Sequence, residues 1–89
     1  MMTERIILEK NSMLVKEFDK YILEHPEFGD NIPDDALVVM QIEGDEEFNG
    51  WARKAAEITA EGRRIAFVTV TELKPVRSRI EKLKLVLAA

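Results

Sequence analysis

Apolar residues recur at helical spacing in the first quarter of the chain. Between residues 12 and 24 they fall on one side of a helical projection, and charged residues take most of the other positions. The stripe consists of Leu14, Phe18, Tyr21 and Ile22. This pattern predicts an amphipathic helix. We favour a start near Thr3, because Ile6 and Ile7 extend the apolar pattern; the alternative is a short extended segment with Asn11 as the N-cap.

The predicted helix ends at a corner that holds the only histidine of the chain. Pro26 disfavours helical backbone at His25 and has no N–H to donate, so the helix should close near this point. We expect His25 to satisfy a carbonyl at the negative end of the helix. A role as general base is disfavoured, because Glu24, Glu27 and Asp30 are only neighbours in sequence.

Two short apolar runs follow the corner, with an amphipathic segment between them. Residues 36–42 (ALVVMQI) and 64–71 (RIAFVTVT) are apolar on both faces, as strands covered on both sides are. Between them, Asp45 is placed to cap a helix, and Gly62 fits the left-handed C-cap position at its end. The core-facing positions of this helix are predicted to be Phe48, Trp51, Ala52, Ala55 and Ile58 or Thr59. The order strand, helix, strand predicts a right-handed crossover between two parallel strands.

The C-terminal pattern supports two interpretations. Val76, Ile80, Leu83 and Leu87 keep helical spacing, whereas residues 82–87 (KLKLVL) alternate as a half-buried edge strand does. We favour the strand, because a helix would leave Leu85 facing outward. The predicted fold is therefore a small α/β domain over residues 1–89, with the order helix, strand, helix, strand and a C-terminal strand or helix.

Composition narrows the class of protein. A chain of 89 residues fits one domain with a thin margin of stability. No stretch approaches the ~20 apolar residues that span a bilayer, and the N-terminal pattern does not fit a secretory signal. The chain has no cysteine, which excludes thiolate metal sites and thiol catalysis. We expect a cytoplasmic protein without a cofactor.

The net charge of −4 hides two halves of opposite sign. Residues 1–62 carry 15 acidic and 6 basic residues, whereas residues 63–89 carry 7 basic and 2 acidic ones. A basic tail beside an acidic body favours contact with a protein, including a second copy of the chain, over contact with nucleic acid. Two strands alone leave open edges, so we expect a homodimer or another homo-oligomer that extends the sheet or packs the first helix against its mate.

The segments EHPEF, NIPDDALVV and LKPVRSR occur in this order along the chain. With these segments, the sequence resembles a small family of uncharacterised prokaryotic proteins of similar length. The resemblance covers the first helix to about residue 79. It implies the same order of helices and strands, and it implies no activity.

Two arrangements of acidic residues resemble metal or phosphate sites. Asp34, with Glu72 and Lys74, has the residue types of a PD-ExK metal-dependent nuclease. In a parallel crossover, however, Asp34 precedes the first strand and Glu72 follows the second, so they should lie at opposite ends of the sheet. The strand-to-helix turn at Gly44 carries Glu43 and the acidic residues 45–47, which repel phosphate and fit an ordinary helix N-terminus.

These considerations favour a non-enzymatic protein–protein interaction or regulatory module that associates with itself. The candidate partner contact is the basic C-terminal segment, with Lys74, Arg77, Arg79, Lys82 and Lys84. Two alternatives are a nucleic-acid binder that uses this segment and, less favoured, a metal-dependent hydrolase. We predict no catalytic, cofactor-binding or metal-binding residues.

Overall fold

The computed structural model describes residues 3–88. Its elements are α1 (Glu4–Glu24), α2 (Pro26–Gly29), β1 (Leu37–Ile42), α3 (Glu46–Thr59) and β2 (Ile65–Val70). β1 and β2 form a two-stranded parallel sheet in which Leu37 pairs with Ile65 and Ile42 with Val70. The helix, strand, helix, strand order and the parallel crossover of the predicted α/β fold are thus confirmed.

The longer version of the first helix is correct. The side chain of Thr3 caps α1 by accepting a hydrogen bond from the backbone N–H of Ile6 at 3.3 Å. At the other end, the helix stops before Pro26, which begins the single helical turn of α2. The sequence predicted a turn here but not this separate helical turn.

A cluster of buried residues lies on each face of the sheet; α1 and the start of α3 contribute to one cluster, and α3 alone among the helices contributes buried residues to the other. On the α1 face, Leu14 and Phe48 are fully buried and pack with Ile7 and Met40. On the α3 face, Val39 packs against Ala52 and Ala56. Alternate residues of a strand point to opposite faces, so these two clusters explain why both strands read as apolar on both sides.

One predicted core position of α3 is wrong. Ile58 and Thr59 are exposed, and the helix buries Ala56 and Ala60 instead. The buried positions therefore follow a strict four-residue interval from Phe48, which brings the small alanines against the sheet.

The C-terminal prediction also differs from the structure. Residues 71–88, called the C-terminal arm below, form neither a strand nor a helix, and every one of them is exposed. The alternating pattern of an edge strand needs a neighbouring strand to pair with, and the arm pairs with neither β1 nor β2 of its own chain.

Candidate partner-binding surface

The corner at His25 is held by aromatic packing and helix-end hydrogen bonds. The His25 ring stacks on Tyr21 with centroids 4.1 Å apart, and its Nδ1 lies 3.1 Å from the Tyr21 carbonyl oxygen. Phe28 packs edge-on against both Tyr21 and Phe18. The Tyr21 carbonyl also accepts from the His25 backbone N–H at 2.8 Å, so the tautomer with a proton on Nδ1 adds a second hydrogen bond to a terminal carbonyl of α1. This geometry gives His25 a structural role.

Asp45 fixes the start of α3 and ties it to α1. Its Oδ1 accepts a hydrogen bond from the Phe48 N–H at 3.1 Å, which confirms the predicted N-cap. Its Oδ2 lies 2.6 Å from Nζ of Lys10, whose ammonium is also 5.8 Å from the centre of the Phe48 ring. The hydrogen bond from Lys10 and then that from Phe48 lower the pKa of Asp45 below its ordinary value. The acidic turn thus has an intramolecular cation as its partner.

The residues of the nuclease-like pattern are not brought together. Asp34 lies in the turn before β1, and Glu72 and Lys74 lie in the arm after β2. Because the strands are parallel, these positions belong to opposite ends of the sheet. Within residues 3–88, no group of three or more histidine, aspartate or glutamate residues could hold a metal ion.

Trp51 belongs to the core rather than to an exposed surface on which bases could stack. It is half-buried and packs against both core clusters, with its ring 5.9 Å from that of Phe48. Its position joins α3 to both clusters, which supports the core assignment made from the sequence.

Asn49 is a structural residue that the sequence did not reveal. Its side-chain Oδ1 accepts from the Ile42 N–H at 2.8 Å, and its Nδ2 donates to the Ile42 carbonyl at 2.7 Å. The side-chain amide thus occupies both backbone groups at the end of the outer edge of β1, as a neighbouring strand would. A lone asparagine within a helix gives no sequence signal for this contact.

The outer edge of β2 has no such cover. Leu37 N–H donates to the Arg64 carbonyl at 2.8 Å and Glu43 N–H to the Val70 carbonyl at 3.0 Å. Because backbone groups alternate along a strand, the even-numbered residues of β2 face β1 and Ile65, Phe67 and Thr69 face outward. No backbone hydrogen bond within the described residues uses the outward N–H groups of these three residues. β2 therefore presents an open strand edge.

An apolar groove runs beside this edge, between α1 and β2. It has a volume of about 300 Å³ and is lined by Phe18, Tyr21, Phe28 and Val68, among others. Glu17 supplies an acidic group to the same lining. On the other face of the sheet, Phe67 of β2 is half exposed. An open strand edge with apolar surface on both sides is the arrangement that accepts an added strand.

The C-terminal arm carries the predicted contact residues and a series of exposed apolar side chains. Lys74, Arg77, Arg79, Lys82 and Lys84 all lie on the arm and are exposed. The large apolar residues exposed there are Leu73, Val76, Ile80, Leu83, Leu85, Val86 and Leu87. Long series of this kind are rare on a protein surface without a binding role.

The single chain exposes far more surface than a folded protein of its size. Its accessible area is 7846 Å², against about 5,300 Å² expected for a compact monomer of this mass. Its radius of gyration is 17.8 Å, whereas about 12 Å is expected for this length. The excess of roughly 2,500 Å² is larger than the area that one partner contributes to an ordinary interface.

The fold and this surface define a small α/β protein with an exposed strand edge and a basic, apolar arm. The chain belongs to a family of unknown function, DUF5647, whose sequence model matches residues 6–83. The match includes the groove, the strand edge and most of the arm. No match to the chain was found among curated proteins or solved structures. Within the described part of the chain, no helix has the length and apolar character needed to cross a membrane.

Proposed function

We propose that the protein is a non-enzymatic interaction module that associates with itself through its C-terminal arm. The observation that carries this proposal is the exposed arm, in which leucines alternate with lysines over residues 82–85 and are followed by Val86 and Leu87. Burying such residues against a second protein surface is favourable by about 25 cal/mol for each Å² of apolar area removed from water. The arm gains nothing comparable while it extends into solvent.

Charge supports a protein as the partner. The arm has five basic and two acidic residues, whereas residues 1–62 have nine more acidic than basic ones. A second copy offers its acidic body to the arm, so the contact gains attraction as well as burial. A nucleic acid that binds the arm also meets the negative field of that body within about one Debye length, ~8 Å at physiological salt.

Nucleic-acid binding is the second candidate, because the arm exposes five lysine and arginine side chains that can contact phosphates. This candidate predicts binding that weakens steeply as salt is raised. It does not explain the alternating leucines, since contacts to phosphates need only the charges. We place a metal-dependent hydrolase third, because no described acidic cluster supplies its ligands.

The test compares two variants with equally exposed substitutions. In the first, Leu83, Leu85 and Leu87 of the arm, which are 84 to 86% exposed, are replaced by serine. In the control, Leu23 and Ile58, which are 84% and 82% exposed on the two long helices, are replaced by serine. Light scattering should report at least twice the chain mass for the wild type and the control, and the single-chain mass for the arm variant. A monomeric wild type would contradict the proposal.

The same samples separate the nucleic-acid candidate. We expect no tight binding of a DNA or RNA oligonucleotide at about 0.15 M salt in a fluorescence anisotropy titration. Nanomolar binding that the arm variant retains would favour the nucleic-acid function, because that variant keeps every basic residue.

A further inference from the structure

The outer edge of β2 has backbone groups without a strand partner, and the arm has the sequence pattern of a strand without being paired. The edge offers the outward backbone groups of Ile65, Phe67 and Thr69, and the arm has a strand-like pattern without a strand to pair with. We propose, building on the self-association above, that the arm of one copy adds as a third strand to the outer edge of β2 in a second copy.

The choice of β2 over β1 follows from the hydrogen bonds. On β1 the side chain of Asn49 already occupies the backbone groups of Ile42, so only Val38 and Met40 are left on that edge. The β2 edge keeps a longer set of outward groups. The groove lined by Phe18, Tyr21 and Phe28 also takes three residues from β2, residues 68–70, and only Met40 from β1.

The side chains of the arm fit both sides of such a strand. In residues 82–87, the three leucines at 83, 85 and 87 would lie on one face, and Lys82, Lys84 and Val86 on the other. The leucine side chains would enter the apolar groove between α1 and β2. The lysine side chains would stay in solvent, close to the acidic residues of the partner copy. An added strand of six residues is as long as β2 itself.

Reciprocal exchange also accounts for the size of the exposed surface. If each copy gives its arm and receives the partner's arm, two docking contacts form and the assembly closes at two copies. Each copy then covers apolar surface on its arm and in its groove. The area buried in this way is part of the excess accessible surface of the single chain.

A proline at Thr69 tests the edge directly. The N–H of Thr69 points away from β1, so proline removes a group that the added strand needs and leaves the β1–β2 ladder intact. Thr69→Ala is the control, because it keeps the N–H. We expect Thr69→Pro to have the single-chain mass in light scattering and Thr69→Ala to keep the wild-type mass. An associated, well-folded Thr69→Pro would overturn the inference while leaving self-association through the arm in place.

The arm allows a second test that cannot unfold the body. In an added strand every second N–H faces its neighbour, so proline at one of two consecutive positions must disrupt the pairing. Lys84→Pro and Leu85→Pro should therefore differ, with one variant monomeric and the other associated. Association of both variants would show that the arm does not dock as a strand. Loss of association in both variants, beside associated Lys84→Ala and Leu85→Ala, would reject strand pairing while leaving self-association through the arm in place.

Discussion

Asp45 combines a helix cap and an ion pair in one carboxylate. Replacement by alanine should lower the free energy of unfolding by about 0.5 to 2 kcal/mol, because the Phe48 N–H loses its acceptor. Asp45→Ser should recover the cap hydrogen bond but not the contact with Lys10. Urea denaturation of the three proteins measures the difference. Equal stability of the alanine and serine variants would contradict the capping role.

The same residue predicts how stability depends on pH. Hydrogen bonds from Lys10 and from the Phe48 N–H hold the pKa of Asp45 below its ordinary value of 3.8. A lowered folded-state pKa gives a stabilisation that is complete above the ordinary value and is lost as pH falls through the folded value. Between about pH 5 and pH 2, the unfolding free energy of the wild type should fall more steeply than that of Asp45→Asn. Parallel curves would show that Lys10 does not stabilise the ionised carboxylate.

At the scale of elements, the end of α3 depends on a left-handed glycine. Gly62 has φ +83°, and Glu61 before it also has a positive φ of +49°. We expect Gly62→Ala to lower the unfolding free energy by about 1 to 2 kcal/mol, because an L side chain is strained in this conformation. Gly50→Ala is the matched comparison, since Gly50 lies inside α3 and a Cβ added there would meet no atom within 4 Å.

The two glycine variants should change stability in opposite directions. Alanine at Gly50 adds helix propensity without a clash and should raise the unfolding free energy by about 0.5 to 1 kcal/mol. Thermal denaturation followed by circular dichroism reports both changes. A loss of stability at Gly50 would mean that this position of α3 is packed more closely than the structure shows.

Elements with local signals were predictable from the sequence. The N-cap at Asp45 and the stop at Pro26 depend on the residue's own chemistry, and the structure places both as expected. Gly62 is left-handed as predicted, but Ala60 is the C-cap and Glu61 is the first left-handed residue after it. The apolar runs predicted both strands to within one residue at each end. The contact of Asn49 with Ile42 joins a helix to a strand end, and periodicity carries no information about such a pair.

The secondary structure of the arm could not be predicted from its local sequence. Its alternation indicates a strand, but a strand forms only beside another strand, and that neighbour is not fixed by the local sequence. The candidate contact residues lie on an exposed segment without the predicted strand, and their role as contacts stays a prediction. The groove was also missed as a site, because Phe18, Tyr21 and Phe28 each read as ordinary core residues.

At the scale of the whole molecule, the arm dominates the shape. The chain measures 68 × 35 × 20 Å, which is far from the near-spherical form of a compact domain. A two-stranded sheet is marginal without further strands or packing. Addition of a partner's strand would enlarge the sheet and cover the arm at the same time. We therefore expect β2 to become an inner strand when the protein associates.

Amide hydrogen exchange, measured residue by residue with NMR, shows whether the outer edge of β2 is paired. In the associated wild type, Phe67 and Thr69 should be protected as well as Val68 and Val70, because both edges of β2 are then paired. In the variant with serine at Leu83, Leu85 and Leu87, the odd-numbered amides should exchange at least about tenfold faster, and the even-numbered ones should keep their protection. Fast exchange of Phe67 and Thr69 in an associated wild type would contradict the account.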